Sequence, residues 1–373
     1  MYEPDMNDLL KQIPKVDKII NGDDFSELRS RYDNSILVSI IQEQLEIVRK
    51  GIIDGKIKKI QPDLTGTIVS FVQDKLKPFT KRVVNGTGIV MNTGLGRAPL
   101  SEKAVERAHE ILSGYCSLEV DIRSGKRGRR EDKISELVSL ITGAEAATVV
   151  NNNAAAVMIC INTLSNRKEA VISRGELVEI GGSFRMPDII KKSGAKMIEV
   201  GSTNKTKLSD YSNAVNKKTG TLLKVHTSNY RINGFSEEVS LNDLSVLAKS
   251  NDIPLYYDLG GGVFSDLSRY ELPHEPTVSE AIMDGADLFS FSGDKVLGGP
   301  QCGIIAGRKD LVEKVKKNPL MRVLRTDKIR LALLEETLKY FLTRDPLETG
   351  HLTLKLLSEK RDVLKLRAEN LAE

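Results

Sequence analysis

The feature that most constrains the fold is a regular alternation of short apolar runs and helical segments between about residues 145 and 310. Short apolar runs that alternate with amphipathic stretches are typical of βαβ units, in which helices cover a largely parallel sheet. Helical spacing separates the runs in Glu131–Ile141, Leu241–Lys249 and Leu311–Lys316. The sequence therefore predicts an α/β domain with seven strands, at Ala147–Val150, Ala170–Ser173, Met197–Val200, Leu222–Val225, Pro254–Tyr257, Leu288–Phe291 and Gly303–Ala306.

The first 78 residues have a different character and predict a separate helical domain. Apolar residues between Leu9 and Ile20 recur at helical spacing, and Ser35–Ile52 continues this pattern over a longer amphipathic stretch. A third helical segment, Thr65–Leu76, leads to Pro78, after which glycine-rich turns begin. We expect a helical N-terminal domain at 1–78, an α/β domain at 79–327 and a charged helical segment at 328–373.

Charge and hydropathy exclude several classes of protein. The 55 Lys and Arg residues nearly balance the 51 Asp and Glu residues, which excludes a strongly basic nucleic-acid coat protein. The apolar runs are much shorter than the roughly 20 residues that cross a bilayer, and the N-terminus does not resemble a secretory signal. Three scattered cysteines and four histidines predict neither a disulfide framework nor a metal site. We expect a cytoplasmic protein with no membrane partner.

Lys295 is the most informative candidate for catalysis. It follows the strand predicted at Leu288–Phe291 and precedes a glycine-rich loop within Phe289–Gly303. Ligands of open α/β sheets bind at the carboxyl ends of the strands. A lysine held there can be partly desolvated, which lowers its pKa and allows it to form a Schiff base. An isolated lysine in a loop would more often be an ordinary surface residue.

Three neighbours of Lys295 favour pyridoxal phosphate as the cofactor. Asp258 ends the preceding strand, where its carboxylate can pair with a protonated pyridine nitrogen. Ser292 lies three positions before Lys295, within reach of a phosphate. A new helix opens after the strand at Ala147–Val150, and a helix N-terminus binds anions; its candidate phosphate ligands are Asn152, Asn153 and Ala154. The alternatives are turn capping by Asp258 and N-capping by an asparagine.

Long motifs in this order resemble the bacterial selenocysteine synthase family, the L-seryl-tRNA(Sec) selenium transferases. The matching stretches lie between Val84 and Phe341, and the N-terminal KQIPKVDKII is also similar. They are NGTGIVMNTGLGRAPLS, SRGELVEIGGSFRMPDI, EVGSTNKT, KVHTSNYRINGF, DLGGG, FSGDKVLGGPQ and NPLMRVLRTDK. The resemblance implies a pyridoxal-phosphate enzyme of the aspartate-aminotransferase fold. It also implies seryl-tRNA(Sec) as substrate, selenophosphate as selenium donor, tRNA contact by the N-terminal domain, and a homo-oligomer built from dimers.

The same resemblance assigns roles to individual residues. Lys295 becomes the Schiff-base lysine, and Asp258 becomes the partner of the pyridine nitrogen. His226 and Asn229 would flank the cofactor ring, although a lone histidine is more often structural. The selenium donor, a small polyanion that suits arginine forks, would lie near Arg97, Asp294 and Arg322, with Arg325 as an alternative to Arg322. For each arginine, an exposed salt bridge is the rival explanation.

Two further segments leave alternatives open. Arg123–Glu131 carries five basic residues and either meets substrate phosphates or forms a solvated charged loop. The family normally continues into a small C-terminal α/β domain, and this sequence stops before it. We therefore expect exposed apolar positions that need covering in the last helices, at Leu352, Leu354, Leu356, Leu357 and Leu364. A related enzyme acting on a free amino acid and an inactive truncated cofactor-binding protein remain the alternative functions.

Overall fold

The computed structural model describes residues 5–181, 184–343 and 350–372. The chain forms two compact units, Met1–Val84 and Asn85–Glu373. Within the described ranges, no helix is long and apolar enough to cross a membrane.

The first unit is helical and has its own core. The predicted helix at 35–52 is confirmed as α4, and Pro14 divides the earlier apolar pattern into α1 and α2, because proline lacks the N–H that a continuous helix needs. Asp33 caps α4 by accepting the Ser35 N–H at 2.7 Å. Phe25 and Ile41 are fully buried in the core between the helices. The helices are α1 Met6–Lys11, α2 Val16–Ile20, α3 Ser26–Arg31, α4 Asn34–Ile53 and α5 Leu64–Leu76.

The second unit is built on a seven-stranded sheet, and all seven predicted strands are confirmed. The order across the sheet is β1-β9-β8-β7-β6-β2-β5. Strands β5, β2, β6, β7 and β8 are parallel, whereas β9 runs antiparallel between β8 and β1. A separate ribbon is formed by β3 and β4. The strands are β1 Ala146–Val150, β2 Glu169–Ser173, β3 Glu179–Ile180, β4 Phe184–Arg185, β5 Lys196–Val200, β6 Thr219–Val225, β7 Leu255–Gly260, β8 Leu288–Ser292 and β9 Gly303–Gly307.

Helices cover both faces of the sheet. Because successive strand residues point to opposite faces, Leu222 belongs to the core that includes side chains of α7, α11 and α15, while Leu223 belongs to the core that includes side chains of α8, α9 and α13. The predicted helices correspond to α7, α11 and α13. The helices of this unit are α6 Glu102–Leu112, α7 Asp132–Thr142, α8 Asn153–Ser165, α9 Met186–Lys192, α10 Leu208–Ala214, α11 Leu241–Ser250, α12 Val278–Met283, α13 Lys309–Lys317, α14 Leu320–Val323, α15 Lys328–Lys339, α16 Leu352–Leu357 and α17 Arg361–Ala372.

The helices after Lys328 belong to the second unit. Helix α15 packs on α6 through small side chains, among them Ala104 and Ala332. The expectation that Leu354 is exposed is wrong: it is 2% exposed, because α16 packs against Val263 and Leu267. Leu352 and Leu357 are half-buried, whereas Leu356 and Leu364 are 40% and 50% exposed, as expected.

The antiparallel strand β9 fixes two loops at the same edge of the sheet. Gly303 at its start pairs with Val150 at the end of β1 and with Ser292 at the end of β8. A Cβ atom at residue 303 would lie 2.3 Å from the main-chain oxygen of Asn152, so only glycine allows the start of α8 to approach so closely. The turns after β1 and β8 therefore lie side by side.

Candidate active site

Asp258 lies at the centre of this edge, at the carboxyl end of β7. Its side chain is buried, and Oδ1 accepts hydrogen bonds from Asn153 Nδ2 at 2.8 Å and from the Gly260 N–H at 3.2 Å. Burial raises the pKa of this carboxyl, while Asn153, the nearby Lys295 ammonium and Gly260 partly oppose the rise. A buried carboxylate with neutral hydrogen-bond donors is well placed to hold a further cationic group.

Lys295 lies in the loop that follows β8, and its side chain is partly buried. Burial lowers the pKa of its ammonium group, and the nearby Arg97 lowers it further, against the attraction of Asp258 and Asp294. Its Nζ lies 3.9 Å from the position that a Cβ atom at Gly260 would occupy. Lys295 therefore reaches the end of β7, two residues beyond Asp258. Its ammonium group loses a proton more readily than that of an exposed lysine.

The loop that carries Lys295 is held on both sides. Gly293 donates its N–H to the Cys302 oxygen at 2.9 Å and accepts from the Gly299 N–H at 2.8 Å. The imidazole of His351 donates from Nε2 to the Leu297 oxygen at 2.7 Å. This tautomer follows from Nδ1, which accepts the Leu354 N–H at 3.2 Å. A rigid loop of this kind restricts the positions that the Lys295 amine can reach.

The start of α8 contributes to the site in two ways. Asn152 caps the helix, since its Oδ1 accepts the Ala155 N–H at 2.8 Å; Ala154 lies in the first turn. Asn153 turns its amide towards Asp258. Two buried amide oxygens, Asn151 Oδ1 and Asn153 Oδ1, have no hydrogen-bond partner in the described parts of the chain. Buried polar atoms are normally paired, so this edge has unmet capacity for a ligand.

Arg97 and Asp294 form an ion pair across 197 positions of sequence. Arg97 Nη1 lies 2.7 Å from Asp294 Oδ2, and the Ala98 N–H donates to the main-chain oxygen of Asp294 at 3.3 Å. Arg97 has a φ of 64°, a left-handed conformation that costs energy in a residue with a side chain. The pair joins the glycine-rich loop before α6 to the loop that carries Lys295.

His226 follows β6 and has an acidic partner that the sequence analysis missed. Its Nε2 lies 2.8 Å from Glu275 Oε2, and its main-chain N–H donates to the Asp258 oxygen at 2.9 Å. The bond to His226 lowers the pKa of Glu275 and keeps it ionised. Asn229 is exposed and donates to the Glu179 oxygen at 2.9 Å. Since 49 residues separate His226 from Glu275, no local pattern could have indicated this pair.

The remaining basic candidates lie elsewhere on the unit. Arg322 and Arg325 line a cavity of about 150 Å³ together with Arg130, whereas Arg97 lines a different one of about 490 Å³ with Asp294. Three arginines of the Arg123–Glu131 segment form ion pairs within the unit, with Glu119 or Glu313: Arg127, Arg129 and Arg130. Three of its five basic side chains are thus paired with carboxylates of the same unit.

A lysine of lowered pKa beside a buried carboxylate, on this sheet, defines the class of pyridoxal-phosphate enzymes with the aspartate-aminotransferase fold. Two solved structures share the fold. The D-glucosaminate-6-phosphate ammonia-lyase structure has a TM-score of 0.56 and 23% identity over 68% of this chain and 66% of that chain. A SepCysS–SepCysE N-terminal domain complex has a TM-score of 0.50 and 16% identity over 76% and 71%.

Sequence comparison then identifies the family. The model of the family described as SelA, L-seryl-tRNA selenium transferase, matches residues 83–373. The chain is 47% identical to the L-seryl-tRNA(Sec) selenium transferase of Carboxydothermus hydrogenoformans, over 97% of this chain and 78% of the relative. It is 45% identical to that of Alkaliphilus metalliredigens, over 97% and 79%. The chain belongs to the L-seryl-tRNA selenium transferase family, and its cofactor is pyridoxal phosphate.

Proposed function

We propose that this protein converts L-seryl-tRNA(Sec) into L-selenocysteinyl-tRNA(Sec) by a β-replacement that depends on pyridoxal phosphate. The observation that carries the proposal is the placement of Lys295 beside buried Asp258, in a chain that belongs to this family. In the overall exchange, the seryl hydroxyl is replaced by a selenol. Selenophosphate gives up its selenium, and the remainder is released as inorganic phosphate.

The residues at this edge of the sheet suit the cofactor. Asp258 would hold the protonated pyridine nitrogen, which supplies the cation that the buried carboxylate lacks. The first turn of α8, at Asn152, Asn153 and Ala154, would hold the phosphate, together with Ser292 at the end of β8. When bound, pyridoxal phosphate accepts the electrons released when the substrate Cα–H bond breaks.

Lys295 has two tasks in this proposal. It binds the cofactor through its Nζ, and once substrate displaces it, its amine takes and returns the proton at the substrate Cα. Its lowered pKa suits both tasks, because only the neutral amine is a nucleophile and a base. The ring of His226, oriented by Glu275, and Asn229 would contribute to the wall beside the cofactor.

We assign the donor site to the Arg97–Asp294 pair. Arg97 uses one guanidinium nitrogen on Asp294, which leaves other donors of the fork for a selenophosphate oxygen. Asp294 keeps the guanidinium in place at the mouth of the Lys295 loop. Arg322, or Arg325 in its place, would add positive charge from the separate cavity that both line with Arg130.

The helical first unit is our candidate for tRNA contact. Its turn between α4 and α5 exposes three lysines, Lys56, Lys58 and Lys59. Clustered exposed lysines bind a phosphate backbone without reading sequence, and such binding weakens with salt. Replacing all three by alanine should reduce tRNA affinity and make it less dependent on salt. A gel shift at several salt concentrations measures both effects, and an unchanged salt slope would contradict the assignment.

We also propose that the protein works in the cytoplasm as a homo-oligomer of at least two subunits. Several large apolar side chains of the second unit are strongly exposed, among them Tyr115, Ile122 and Phe235, at 110%, 76% and 100%. Exposed apolar side chains of this size favour self-association. Sedimentation that gives a monomer with full activity would contradict this proposal.

The test of the main proposal uses purified protein with seryl-tRNA(Sec), selenophosphate and pyridoxal phosphate. Selenocysteinyl-tRNA(Sec) should form, while seryl-tRNA(Ser) and free serine should give little product. Lys295→Ala should abolish both the product and the borohydride-reducible pyridoxyl adduct on the chain. A reduced adduct found by mass spectrometry on another lysine would overturn the site assignment.

A further inference from the structure

A large polar cavity lies at the carboxyl ends of β2, β6 and β7. Its volume is about 700 Å³, within the range of sites that bind small molecules. Its walls come from the turns after these strands and after β5. The lining includes Asn204, His226, Ser228, Tyr230 and Arg231.

The cavity borders the cofactor lysine. The position that a Cβ atom at Gly260 would occupy lies 3.5 Å from Ser228 Oγ, in the cavity wall, and 3.9 Å from Lys295 Nζ. His226, also in the wall, is hydrogen-bonded through its main chain to Asp258. A group attached to the substrate's reacting amino acid can therefore extend from Lys295 into this space.

The volume is much larger than the reacting amino acid requires. The cofactor would take part of this volume, because His226 and Asn229 also line the cavity, and a free serine would fill only a further small part of the about 700 Å³. A serine esterified to the ribose of a nucleotide carries a base, a sugar and a phosphate that need such a space. The cavity size thus favours an aminoacylated nucleotide over a free amino acid as the occupant.

The wall holds four carboxylates against three lysine and arginine side chains, and Lys224 pairs with two of the carboxylates, so Arg231 is the one of the three that stands outside these ion pairs. Each of the four carboxylates has a basic partner: Glu176 and Glu238 lie 3.0 and 3.1 Å from Lys224, Glu237 lies 2.7 Å from Lys205, and Glu275 lies 2.8 Å from His226. Arg231 is exposed and forms no ion pair or side-chain hydrogen bond within the described part of the chain, and its positive charge helps to lower the pKa of Glu275. Its guanidinium can donate two parallel hydrogen bonds to one phosphate group.

Tyr230 supplies a fixed aromatic ring in the same wall. Its hydroxyl donates to the main-chain oxygen of Gly175, which restrains the half-buried side chain. Nucleobases stack on aromatic side chains in proteins that bind single-stranded RNA ends. The amide of Asn204, whose Nδ2 donates to the Phe235 oxygen, leaves its carbonyl oxygen as an acceptor at the rim.

We propose that this cavity binds the 3′-terminal nucleotide of the aminoacylated substrate, with Arg231 on its phosphate and Tyr230 beside its base. The inference rests on the proposed function, because it concerns the RNA end that carries the seryl group. It assigns the terminal nucleotide to the turns after β5 and β6, away from the Arg97–Asp294 pair.

The test measures binding to the holoenzyme by calorimetry. The probe is 3′-amino-3′-deoxyadenosine 5′-monophosphate carrying L-serine in amide linkage, and the comparison ligand is L-serine methyl ester. The nucleotide probe should bind at least about tenfold more tightly than the ester. Arg231→Ala should weaken probe binding by about tenfold and leave ester binding unchanged, while Arg231→Lys should weaken it less.

Arg361→Ala is the matched control, because Arg361 is an exposed arginine on α17 without an ion pair in the described residues. It should bind both ligands as the wild type does. A probe that binds no more tightly than the ester, or equal probe binding by Arg231→Ala and Arg361→Ala, would overturn the inference. If that occurs while seryl-tRNA(Sec) is converted, the cavity assignment alone fails. If the probe binds through Arg231 but seryl-tRNA(Sec) is not converted, the proposed function alone fails.

Discussion

Replacing Asp258 by asparagine should separate the cost of a buried carboxylate from its use to the cofactor. Asparagine has nearly the same shape, and its Oδ1 can still accept from Asn153 and Gly260. The substitution therefore removes a charge without opening a cavity. Its effects on the cofactor-free protein and on the holoenzyme should have different signs.

In the cofactor-free protein, the substitution should be neutral or stabilising. Burial raises the pKa of Asp258 above its ordinary value of 3.8, so the folded protein binds this proton more tightly than the unfolded chain. Stability from this group is therefore lost as the pH rises from 3.8 through the folded-state pKa. Above the folded-state pKa the ionised carboxylate opposes folding, and Asp258→Asn removes that cost. Thermal unfolding at pH 7 should give a melting temperature equal to or above that of the wild type.

In the holoenzyme, the same substitution should be damaging. A charge-assisted hydrogen bond to the pyridine nitrogen contributes about 1.5–3 kcal/mol, so the cofactor Kd should rise by about 10- to 100-fold. Turnover should fall further, because a neutral amide does not keep the pyridine nitrogen protonated. Spectroscopic titration with pyridoxal phosphate measures the Kd, and the exposed Asp252→Asn is the matched control. Cofactor affinity equal to that of the wild type, or marked destabilisation of the cofactor-free protein, would refute the reasoning.

Three further outcomes are expected. Arg97→Ala should keep cofactor colour but lose selenium transfer, and the free energy of unfolding should fall by about 1–3 kcal/mol because buried Asp294 loses its partner. Adding Asp294→Asn should restore stability but not selenium transfer, as chemical unfolding and a selenium-75 assay would establish. Gly303→Ala should destabilise the fold by about 3 kcal/mol or more, because its Cβ would lie 2.3 Å from a main-chain oxygen. Gly86→Ala is the control and should not destabilise the fold, because the space around Gly86 is open; similar melting temperatures for the two variants would contradict this. Burial lowers the pKa of His351 below its ordinary 6.5, so the stability that this group contributes is present above pH 6.5 and is lost as the pH falls through its folded-state pKa. His351→Gln should therefore make the unfolding free energy depend less on pH between pH 7 and 5, and an unchanged pH dependence would count against a buried neutral imidazole.

Local sequence patterns sufficed for the strands and for the position of Lys295 at their carboxyl edge. A buried strand needs a short apolar run, and a loop residue directly after it is carried to the carboxyl edge of the sheet. Lys295 and Asp258 could be assigned to one edge because β7 and β8 are parallel neighbours. The same reasoning gave α4 its bounds to within a residue, since its apolar positions recur at helical spacing.

Contacts between residues that are distant in sequence were determined only by the tertiary structure. Periodicity does not encode the pairing of Arg97 with Asp294, of His226 with Glu275, or the burial of Leu354. Each depends on how separate loops and helices pack together. Strand β9, which lies antiparallel between β1 and β8, fixes only the turns after these two strands. The spacing of apolar residues predicts structure only over a few neighbouring residues. An ion pair requires two atoms within a few ångströms of each other, wherever their residues lie in the sequence. Only the packed fold brings such atoms together.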